Sequence, residues 1–334
     1  MSFIATPGPR PVARWVVGVG GRMAVAAALL VVVTSACSAA STAPPTSGAA
    51  GRVMSVVAAE NDWGSIASQI GGTHVRVTSI INDPNADPHV YEPTPADGRA
   101  VASAGLVWYN GIGYDTWMAK LLAADPGKRA VLKVGTVIGV GDGANPHRWY
   151  NPGDVQRVIT AYVADLSRLD PGDAGYFAAQ GRQFNEVALK DYNGLVAGIR
   201  ATYAGTPVGA SESIFSMLAP ALGLKVLTPE AFLRAISNGT DVSAGDKAIT
   251  DGQIRNRLIK VYVYNSQNTT PDIQAQVAQC RALGIPTATI TETLTPASAS
   301  YQEWQSGQLR GIEAALAGAV GGAVAGAVGG AAAG

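Results

Sequence analysis

Two of the three histidines lie in chain segments of similar composition. One segment spans residues 87–93 around His89, and the other spans residues 145–152 around His147. In both, a proline precedes the histidine and an aromatic residue follows two positions later. Because proline fixes φ and removes a backbone donor, both segments are stiff. Imidazole is a common metal ligand, and ligands that are ordered in advance bind at a lower entropic cost. The matched pair predicts a metal site, whereas His74 lacks this setting and is assigned no role.

Before and after these histidines, short apolar runs alternate with helical segments along the chain. This alternation predicts an α/β fold in which mostly parallel sheets are covered by helices. The candidate strands are Val53 to Ala58, Val75 to Ile81, Leu106 to Tyr109, Ala130 to Val134, Pro207 to Ala210, Val261 to Tyr264 and Thr287 to Thr291. The candidate helices among them are Asp62 to Ile70, Pro95 to Ser103, Tyr114 to Ala123 and Pro152 to Leu169.

The stretch from Asp173 to Tyr203 has a different pattern, with apolar residues at helical spacing and no proline. A helix of this length extends about 45 Å. Gly181, Gly194 and Gly198 disfavour it by about 1 kcal/mol each relative to Ala. We predict a linking helix over residues 171–204 that joins an N-terminal α/β lobe, residues 52–170, to a C-terminal α/β lobe, residues 205–312.

The N-terminus has the pattern of an export signal. Arginines precede a charge-free run from Met23 to Val33, which is shorter than the roughly 20 residues that span a bilayer. Small residues then lead to Cys37, as in a bacterial lipobox, although Thr34 stands where Leu is usual. We predict a signal peptide over residues 1–36, a lipid on Cys37, and a flexible tether over residues 37–51. The alternative is a signal peptide that is cleaved nearby beside an incidental cysteine.

Amino-acid composition argues against nucleic-acid binding and indicates the character of the C-terminal segment. The 24 Lys and Arg residues balance the 24 Asp and Glu residues, so nucleic-acid binding has no electrostatic support. Cys280 shares a helical face with apolar residues, which predicts a buried core position. Residues 313–334 are almost entirely Ala, Gly and Val, and we predict a disordered tail there. Trp63, Trp108 and Trp117 are expected to belong to the core or to line the cleft.

The motifs around both histidines resemble those of the TroA-like solute-binding proteins of zinc and manganese ABC importers. The first motif continues from His89 to Asp97, and residues 106–113 with Trp117 resemble the strand and turn that follow it. His147, with Trp149 and Pro152, matches the second motif. The resemblance extends from about Val53 to Leu309. It implies two α/β lobes joined by one long helix, with a metal site in the cleft between the lobes.

The resemblance also implies two further ligands from the C-terminal lobe. Glu212 occupies the place of the third ligand, at the start of a helix after a strand, where a glutamate without metal would also be favoured by the helix dipole. Glu292, in Thr291-Glu292-Thr293-Leu294, occupies the place of the fourth, which is usually Asp. The rival fourth ligands are Asp241, Asp246 and Asp251.

The function implied by the resemblance is binding of one divalent transition metal and its delivery to an ABC permease with a cytosolic ATPase. Glutamate in place of a third imidazole favours Mn²⁺, while Zn²⁺ binds more tightly to most such sites. Zinc importers of this family often carry a His-rich loop, and this chain has none. We expect a monomer that is held at the outer face of the cell membrane by its N-terminal lipid. The long helix implies a modest opening of the C-terminal lobe rather than wide closure.

Two other functions use the same residues. An exported metallohydrolase would need an open coordination position and a general base such as Asp87 or Asp83. Four protein ligands leave little room for a reactive water, which favours a protein that is not an enzyme. A cell-surface adhesin, or a module that binds another small solute, would leave the two histidine segments with a purely structural role.

Overall fold

The structure, a computed structural model, describes residues 53–84, 86 and 88–331, with side chains through residue 320. The described residues fall in one compact unit, residues 50–334. The predicted signal peptide, the lipid on Cys37 and the whole of the predicted tether lie outside the described residues, as does Asp87. None of the helices that the structure describes combines the length and the apolarity needed to cross a bilayer.

The N-terminal lobe is a four-stranded parallel sheet in the order β2-β1-β3-β4. Its strands are β1 (Met54–Glu60), β2 (Val75–Ile81), β3 (Leu106–Tyr109) and β4 (Ala130–Lys133). Its helices are α1 (Asn61–Gly71), α2 (Pro95–Ser103), α3 (Thr116–Ala124), α4 (Val134–Ile138) and α5 (Pro152–Leu169). β1 and β3 are buried along nearly their whole length because helices cover the sheet, so they appear in the sequence as continuous apolar runs.

Side-chain caps begin the two helices that follow the histidine segments. Thr94 and Asp97 form a capping box at the start of α2, and the Asn151 side chain accepts from the Asp154 N–H at the start of α5. A proline occupies the first turn of each helix, where its missing N–H costs nothing. The chain therefore leaves each histidine segment at a defined residue.

The predicted linking helix is present, but it is not a single α-helix. It consists of α6 (Ala174–Gln183), a π-helical turn (Phe184–Ala188) and α7 (Lys190–Tyr203). A Cβ at Gly181 would lie 2.7 Å from Val163 Cγ2, so this glycine allows α6 to approach α5 closely. Gly194 and Gly198 face open space, and their cost to helix stability is not offset by such a contact.

The C-terminal lobe repeats the topology of the first, with a parallel sheet in the order β6-β5-β7-β8. Its strands are β5 (Pro207–Ala210), β6 (Lys225–Val226), β7 (Val261–Asn265) and β8 (Thr287–Ile290). Its helices are α8 (Ile214–Leu222), α9 (Glu230–Ser237), α10 (Ala244–Arg255), α11 (Pro271–Ala282) and α12 (Tyr301–Ala331). The two-residue β6 was not predicted, since it is too short for a strand pattern. The prediction for Cys280 is confirmed, because its thiol is free and buried in α11.

The prediction of a disordered tail over residues 313–334 is wrong for the part that packs on the fold. α12 runs to Ala331 and packs against α7 and β8. Ala315 and Leu316 are buried, and a Cβ at Gly318 would lie in ordinary contact with Pro286. Burial of this apolar face, together with the high helix propensity of alanine, outweighs the cost of the glycines there.

The two lobes share one hydrophobic core, and buried hydrogen bonds join them. Tyr150 Oη donates to the Thr291 carbonyl at 2.7 Å, and Tyr301 Oη donates to the Trp149 carbonyl at 2.6 Å. The Leu294 N–H donates to Asn61 Oδ1 at 3.2 Å. The turn that follows β8 is therefore tied to the N-terminal lobe. The domain boundaries at residues 170 and 205 stay predictions.

Candidate metal centre

The candidate ligands lie at the carboxyl ends of the parallel strands. His89 is in a 3₁₀ turn (Pro88–Val90) after β2, and Glu292 lies two residues beyond the end of β8. His147 immediately precedes a 3₁₀ turn (Arg148–Tyr150) that leads into α5. Ligands of open α/β sheets bind at this edge because the loops after the strands converge there.

His89, His147 and Glu292 converge on one point. His89 Nε2 and His147 Nε2 each lie 3.2 Å from Glu292 Oε1. One ligand atom from each residue lies within 4.8 Å of the other two, and the described residues contain no other such group of three or more His, Cys, Asp or Glu side chains. The His147 side chain is 1% exposed, and those of Glu292 and His89 are 11% and 19% exposed. The cleft therefore places two imidazoles and one carboxylate around a partly enclosed position.

Asn145 sets the tautomer of His147. The amide orientation is determined by two backbone contacts, since Nδ2 donates to the Ser213 carbonyl at 2.7 Å and Oδ1 accepts from the His147 N–H. Oδ1 also lies 2.9 Å from His147 Nδ1, so Nδ1 carries the ring proton. The lone pair of His147 Nε2 then points toward Glu292 Oε1. Such convergence of lone pairs is unfavourable without a cation and is the arrangement that a metal ion requires.

Burial and the contacts among these groups shift their pKa values. Burial lowers the pKa of His147, although Glu292 opposes this, which favours the neutral imidazole. Burial opposes ionisation of Glu292, but a hydrogen bond and positive charge from a protonated His147 or His89 outweigh it and lower the pKa of Glu292 below the usual range, so a cation at this point would take the place of that proton. Tyr114 Oη also donates to Glu292 Oε1 at 3.2 Å. Neutral imidazole and anionic carboxylate are the ligand forms of these side chains.

Aromatic rings separate this point from solvent on the side of the N-terminal lobe. The Tyr114 ring packs at 4.6 Å from His89, and Trp149 packs at 5.4 Å from His147. Trp63 and Trp108 stack at 5.4 Å in the core beneath, and Trp117 packs on Tyr91. The prediction that Trp63, Trp108 and Trp117 belong to the core or line the cleft is confirmed.

Glu212 is buried near the three ligands but lies outside their group. Its Oε1 accepts from Asn265 Nδ2 at 2.6 Å, and its Oε2 accepts from Asn268 Nδ2 at 2.9 Å. Burial raises its pKa to about 8, with a further increase from Glu292, whereas the two amides favour the charged form. Glu212 is therefore oriented by amides that leave it beside the ligand group.

The three rival candidates for the fourth ligand are either exposed or bound to other side chains. Asp241 is exposed, and Asp246 accepts from the Ser243 hydroxyl at the start of α10. Asp251 pairs with Lys247 at 2.7 Å. The group around His89 contains none of these three aspartates. Among the two candidate general bases, Asp83 is exposed and Asp87 lies outside the described residues.

His74, to which no role was assigned, contacts residues other than the three ligands. Its Nδ1 lies 2.6 Å from Asp173 Oδ2, and its ring packs on Tyr176. This pair connects the start of β2 to the turn before α6.

Sequence reasoning missed the loop after β7, which we call the amide loop (Asn265, Gln267 and Asn268). Asn265 and Asn268 hold Glu212, while Gln267 Oε1 accepts from the backbone N–H groups of Glu292 and Thr293 at 2.7 and 3.1 Å. One loop therefore supports both acidic candidates. The available signal was a run of amide side chains directly after a buried strand, at the edge where ligands bind.

Sequence reasoning also missed three buried acids behind the site. Asp115 accepts from the Asn110 and Gly111 N–H groups at 2.6 and 2.7 Å, and its pKa is raised to about 6, chiefly by burial. Burial and the adjacent Asp115 raise the pKa of Glu60 well above its usual range. Burial also raises the pKa of Asp62 to about 8. Glu60 therefore keeps its proton beside Asp115, because two buried carboxylates cannot both be charged at low cost.

A cavity of about 170 Å³ opens onto the ligands. His89 and Glu292 contribute to its wall, so an ion at the site faces this space. The remaining lining residues are small or uncharged: Pro84, Ala86, Val90, Ser237, Asn238, Gly239, Gln267 and Asn268. The cavity is large enough for several water molecules at about 30 Å³ each.

Known proteins are similar to this chain in sequence. Residues 56–315 match the family described as zinc-uptake complex component A periplasmic. A manganese-binding lipoprotein, MntA, of Halalkalibacterium halodurans is 27% identical over 139 residues, which are 40% of this chain and 46% of that protein. An iron-binding protein, YfeA, of Yersinia pestis is 30% identical over 172 residues, which are 48% of this chain and 54% of that protein. The matched region thus spans about half the length of these curated relatives.

Solved structures confirm the predicted two-lobe α/β fold. A Mn-bound periplasmic metal binding protein from Candidatus Liberibacter asiaticus superposes with a TM-score of 0.67 at 20% identity, covering 79% of this chain and 99% of that one. A crystal structure of ZnuA gives a TM-score of 0.63 at 19% identity, covering 78% of this chain and 99% of that one. With the family match over residues 56–315, the chain belongs to the family of zinc-uptake complex component A, the periplasmic metal-binding proteins that resemble TroA.

Proposed function

We propose that the protein binds one divalent transition-metal ion in the cleft and delivers it to an ABC importer. The observation that supports this most directly is the convergence of His89, His147 and Glu292, with the tautomer of His147 set so that its lone pair faces the same point. This arrangement offers a cation two neutral imidazoles and a carboxylate. A binding role rather than catalysis agrees with the family, and no enzymatic step is assigned to the site.

The proposed ligand set is His89, His147, Glu212 and Glu292. Glu212 would complete the set from the C-terminal lobe by exchanging one of its amide hydrogen bonds for the metal. Two charged carboxylates would then balance the charge of a divalent ion, which avoids a large desolvation penalty in the cleft.

The cargo that we propose is Mn²⁺, with Zn²⁺ as its main competitor. Two carboxylates and two imidazoles supply equal numbers of oxygen and nitrogen ligands, and oxygen ligands favour the harder ion. Zn²⁺ still precedes Mn²⁺ in intrinsic affinity, so discrimination would depend on geometry and on metal supply. The names of the relatives, which include manganese-binding and iron-binding proteins, agree with an ion of this class.

Delivery would require a membrane permease driven by a cytosolic ATPase, as the family implies. We also propose that the mature protein is a monomer that acts outside the cell membrane and is anchored there by a lipid on Cys37. The support for export and anchoring is the N-terminal sequence pattern of arginines, an apolar run and a cysteine.

Metal titration of purified single-residue variants tests this function. The unsubstituted protein should bind one Mn²⁺ or Zn²⁺ per chain. His89→Ala and His147→Ala should each weaken binding by about 100-fold or more, beyond the 10–100-fold that loss of a supporting contact costs. Glu212→Gln should weaken it less than Glu292→Gln, since only Glu292 lies in the preformed group.

His74→Ala is the matched control, since His74 pairs with Asp173 away from the cleft. This variant should bind metal as the unsubstituted protein does. Equal affinity of the unsubstituted, His89→Ala and His147→Ala proteins would reject the site. Unchanged affinity of Glu212→Gln alone would limit the ligand set to the other three residues.

A further inference from the structure

Gln267 contacts the turn that carries Glu292 and, at the same time, the chain that leads to His89. Its Oε1 accepts from the Glu292 and Thr293 N–H groups. Its Nε2 donates to the Pro84 carbonyl at 2.7 Å and to Thr293 Oγ1 at 2.9 Å. One amide therefore joins segments that lie more than 200 residues apart in the chain.

The position of Gln267 beside the cavity distinguishes it from the buried contacts between the lobes. Gln267, Pro84 and His89 all line the cavity that opens onto the ligands. Tyr150 and Tyr301, by contrast, make their interlobe hydrogen bonds in the buried core. Separation of Pro84 from Gln267 would widen the cavity without disturbing those core contacts. The Nε2–Pro84 hydrogen bond thus lies in the wall of the cavity that opens onto the ligands.

We propose that Gln267 is a positioning residue for metal exchange, with a separate role for each end of its amide. Its Oε1 orients the backbone that carries Glu292, and its Nε2 holds Pro84 in place in the wall of the cavity. This inference rests on the proposed function of the cleft as a metal site. The oxygen end governs affinity, whereas the nitrogen end governs how fast the ion enters and leaves.

Two substitutions separate these roles. Gln267→Met has a similar length but makes neither set of hydrogen bonds. Gln267→Glu keeps an oxygen that can accept from the Glu292 and Thr293 N–H groups, but it cannot donate to Pro84. Gln274→Met is the matched control, because Gln274 is exposed on α11 and donates only to the nearby Thr269 carbonyl among the described contacts.

Stopped-flow association and chelator-induced dissociation of Mn²⁺ and Zn²⁺ measure the exchange rates, and equilibrium titration measures the affinity. Both rates should rise by about three- to tenfold in Gln267→Met and Gln267→Glu, as expected for loss of the hydrogen bond to Pro84, which both variants lack. The affinity should fall in Gln267→Met but be retained in Gln267→Glu. Gln274→Met should match the unsubstituted protein in rates and affinity.

Unchanged exchange rates in Gln267→Glu would overturn the inference, and this variant decides the matter if Gln267→Met fails to fold. A loss of affinity in Gln267→Glu equal to that in Gln267→Met would also overturn it, since the two ends of the amide would then act as one. If the unsubstituted protein binds neither ion, the proposed function itself fails. If it binds with unchanged kinetics in both variants, only the role of Gln267 fails.

Discussion

At the scale of single residues, the site depends on where lone pairs point. His147 is useful to a metal only if Nε2 is unprotonated, and the neutral ring can carry its proton on either nitrogen. Asn145 decides between them by accepting from Nδ1. Because the same side chain donates to the Ser213 carbonyl, one residue after Glu212, it also ties the His147 segment to the C-terminal lobe.

Removal of this support should weaken metal binding without removing a ligand. We expect Asn145→Ala to reduce affinity by about 10- to 100-fold, the range usual for loss of a hydrogen-bond partner to a ligating histidine. Equilibrium titration with a competing chelator measures the change. Asn193→Ala, at an exposed position on α7, should leave affinity unchanged. Wild-type affinity in Asn145→Ala would show that His147 is oriented by its packing alone.

At the scale of elements, residues at the ends of the two central strands of the N-terminal sheet support the site on its buried side. Glu60 ends β1, and Asp115 closes the turn after β3 by accepting from two backbone N–H groups. Asn110 in that turn donates from Nδ2 to the Pro146 carbonyl, which leads directly to His147. Asp115 and Asn110 therefore support the segment that carries a ligand, with Glu60 buried next to Asp115.

This pair makes stability depend on pH with a definite sign. The pKa of Glu60 is raised in the folded state, so the unfolded state loses its proton first as pH rises. The stabilising effect is complete below the ordinary glutamate pKa of 4.5 and declines as pH rises toward the folded-state pKa. Asp62, Asp115 and Glu212 have the same sign, whereas the lowered pKa of His147 has the opposite sign below its ordinary value of 6.5. The metal-free protein should therefore lose stability most clearly from pH 6.5 to pH 8.

Glu60→Gln should reduce this loss, because a neutral amide has no proton that titrates in this range. The slope of unfolding free energy against pH should fall by at most about 1.4 kcal/mol per pH unit, the value for one proton. Chemical unfolding at several pH values measures it. Glu186→Gln, at an exposed position in the π-helical turn, is the control and should keep the original slope. An unchanged slope in Glu60→Gln would contradict a protonated Glu60 in the folded state.

At the scale of the whole molecule, two sheets of identical strand order share one core. The turn that carries Glu292 belongs to the C-terminal lobe in sequence, yet Tyr150 and Asn61 bind it to the N-terminal lobe. His147 and Glu292 are thus held in a fixed relation, while Pro84 lines the same cavity as Glu292. Exchange of metal by small local movements is consistent with these ties, and wide separation of the lobes would break them.

The shared core predicts that the lobes unfold together and that metal shifts this transition as a whole. An ion that binds only the folded state at 100 times its Kd adds about 2.7 kcal/mol of stability. For a chain of this size that corresponds to roughly 5 °C in Tm. Thermal unfolding with and without Mn²⁺ or Zn²⁺ should show one transition that moves upward. The doubly substituted His89→Ala, His147→Ala protein should show no shift, and two separate transitions would contradict the shared core.

The α/β class, most strand and helix positions, and the choice of His89 and His147 as ligands could be predicted from the sequence, because each depends on residues that are close together in the chain. Periodicity, proline positions and helix caps act over a few residues and appear directly in the chain. The strands from Val75 to Ile81 and Leu106 to Tyr109 end where they were predicted to end. Glu292 was placed through resemblance to a family motif rather than through its own chemistry.

Packing in three dimensions determines which residues support those ligands and which segments lie together. The amides that hold Glu212, the burial of Glu60 beside Asp115, and the contacts of Gln267 all involve residues that are far apart in sequence. The helical course of residues 313–320 likewise depends on a surface that the rest of the fold provides. Distances between remote segments are set by how the sheets and helices pack, and no local pattern records that packing.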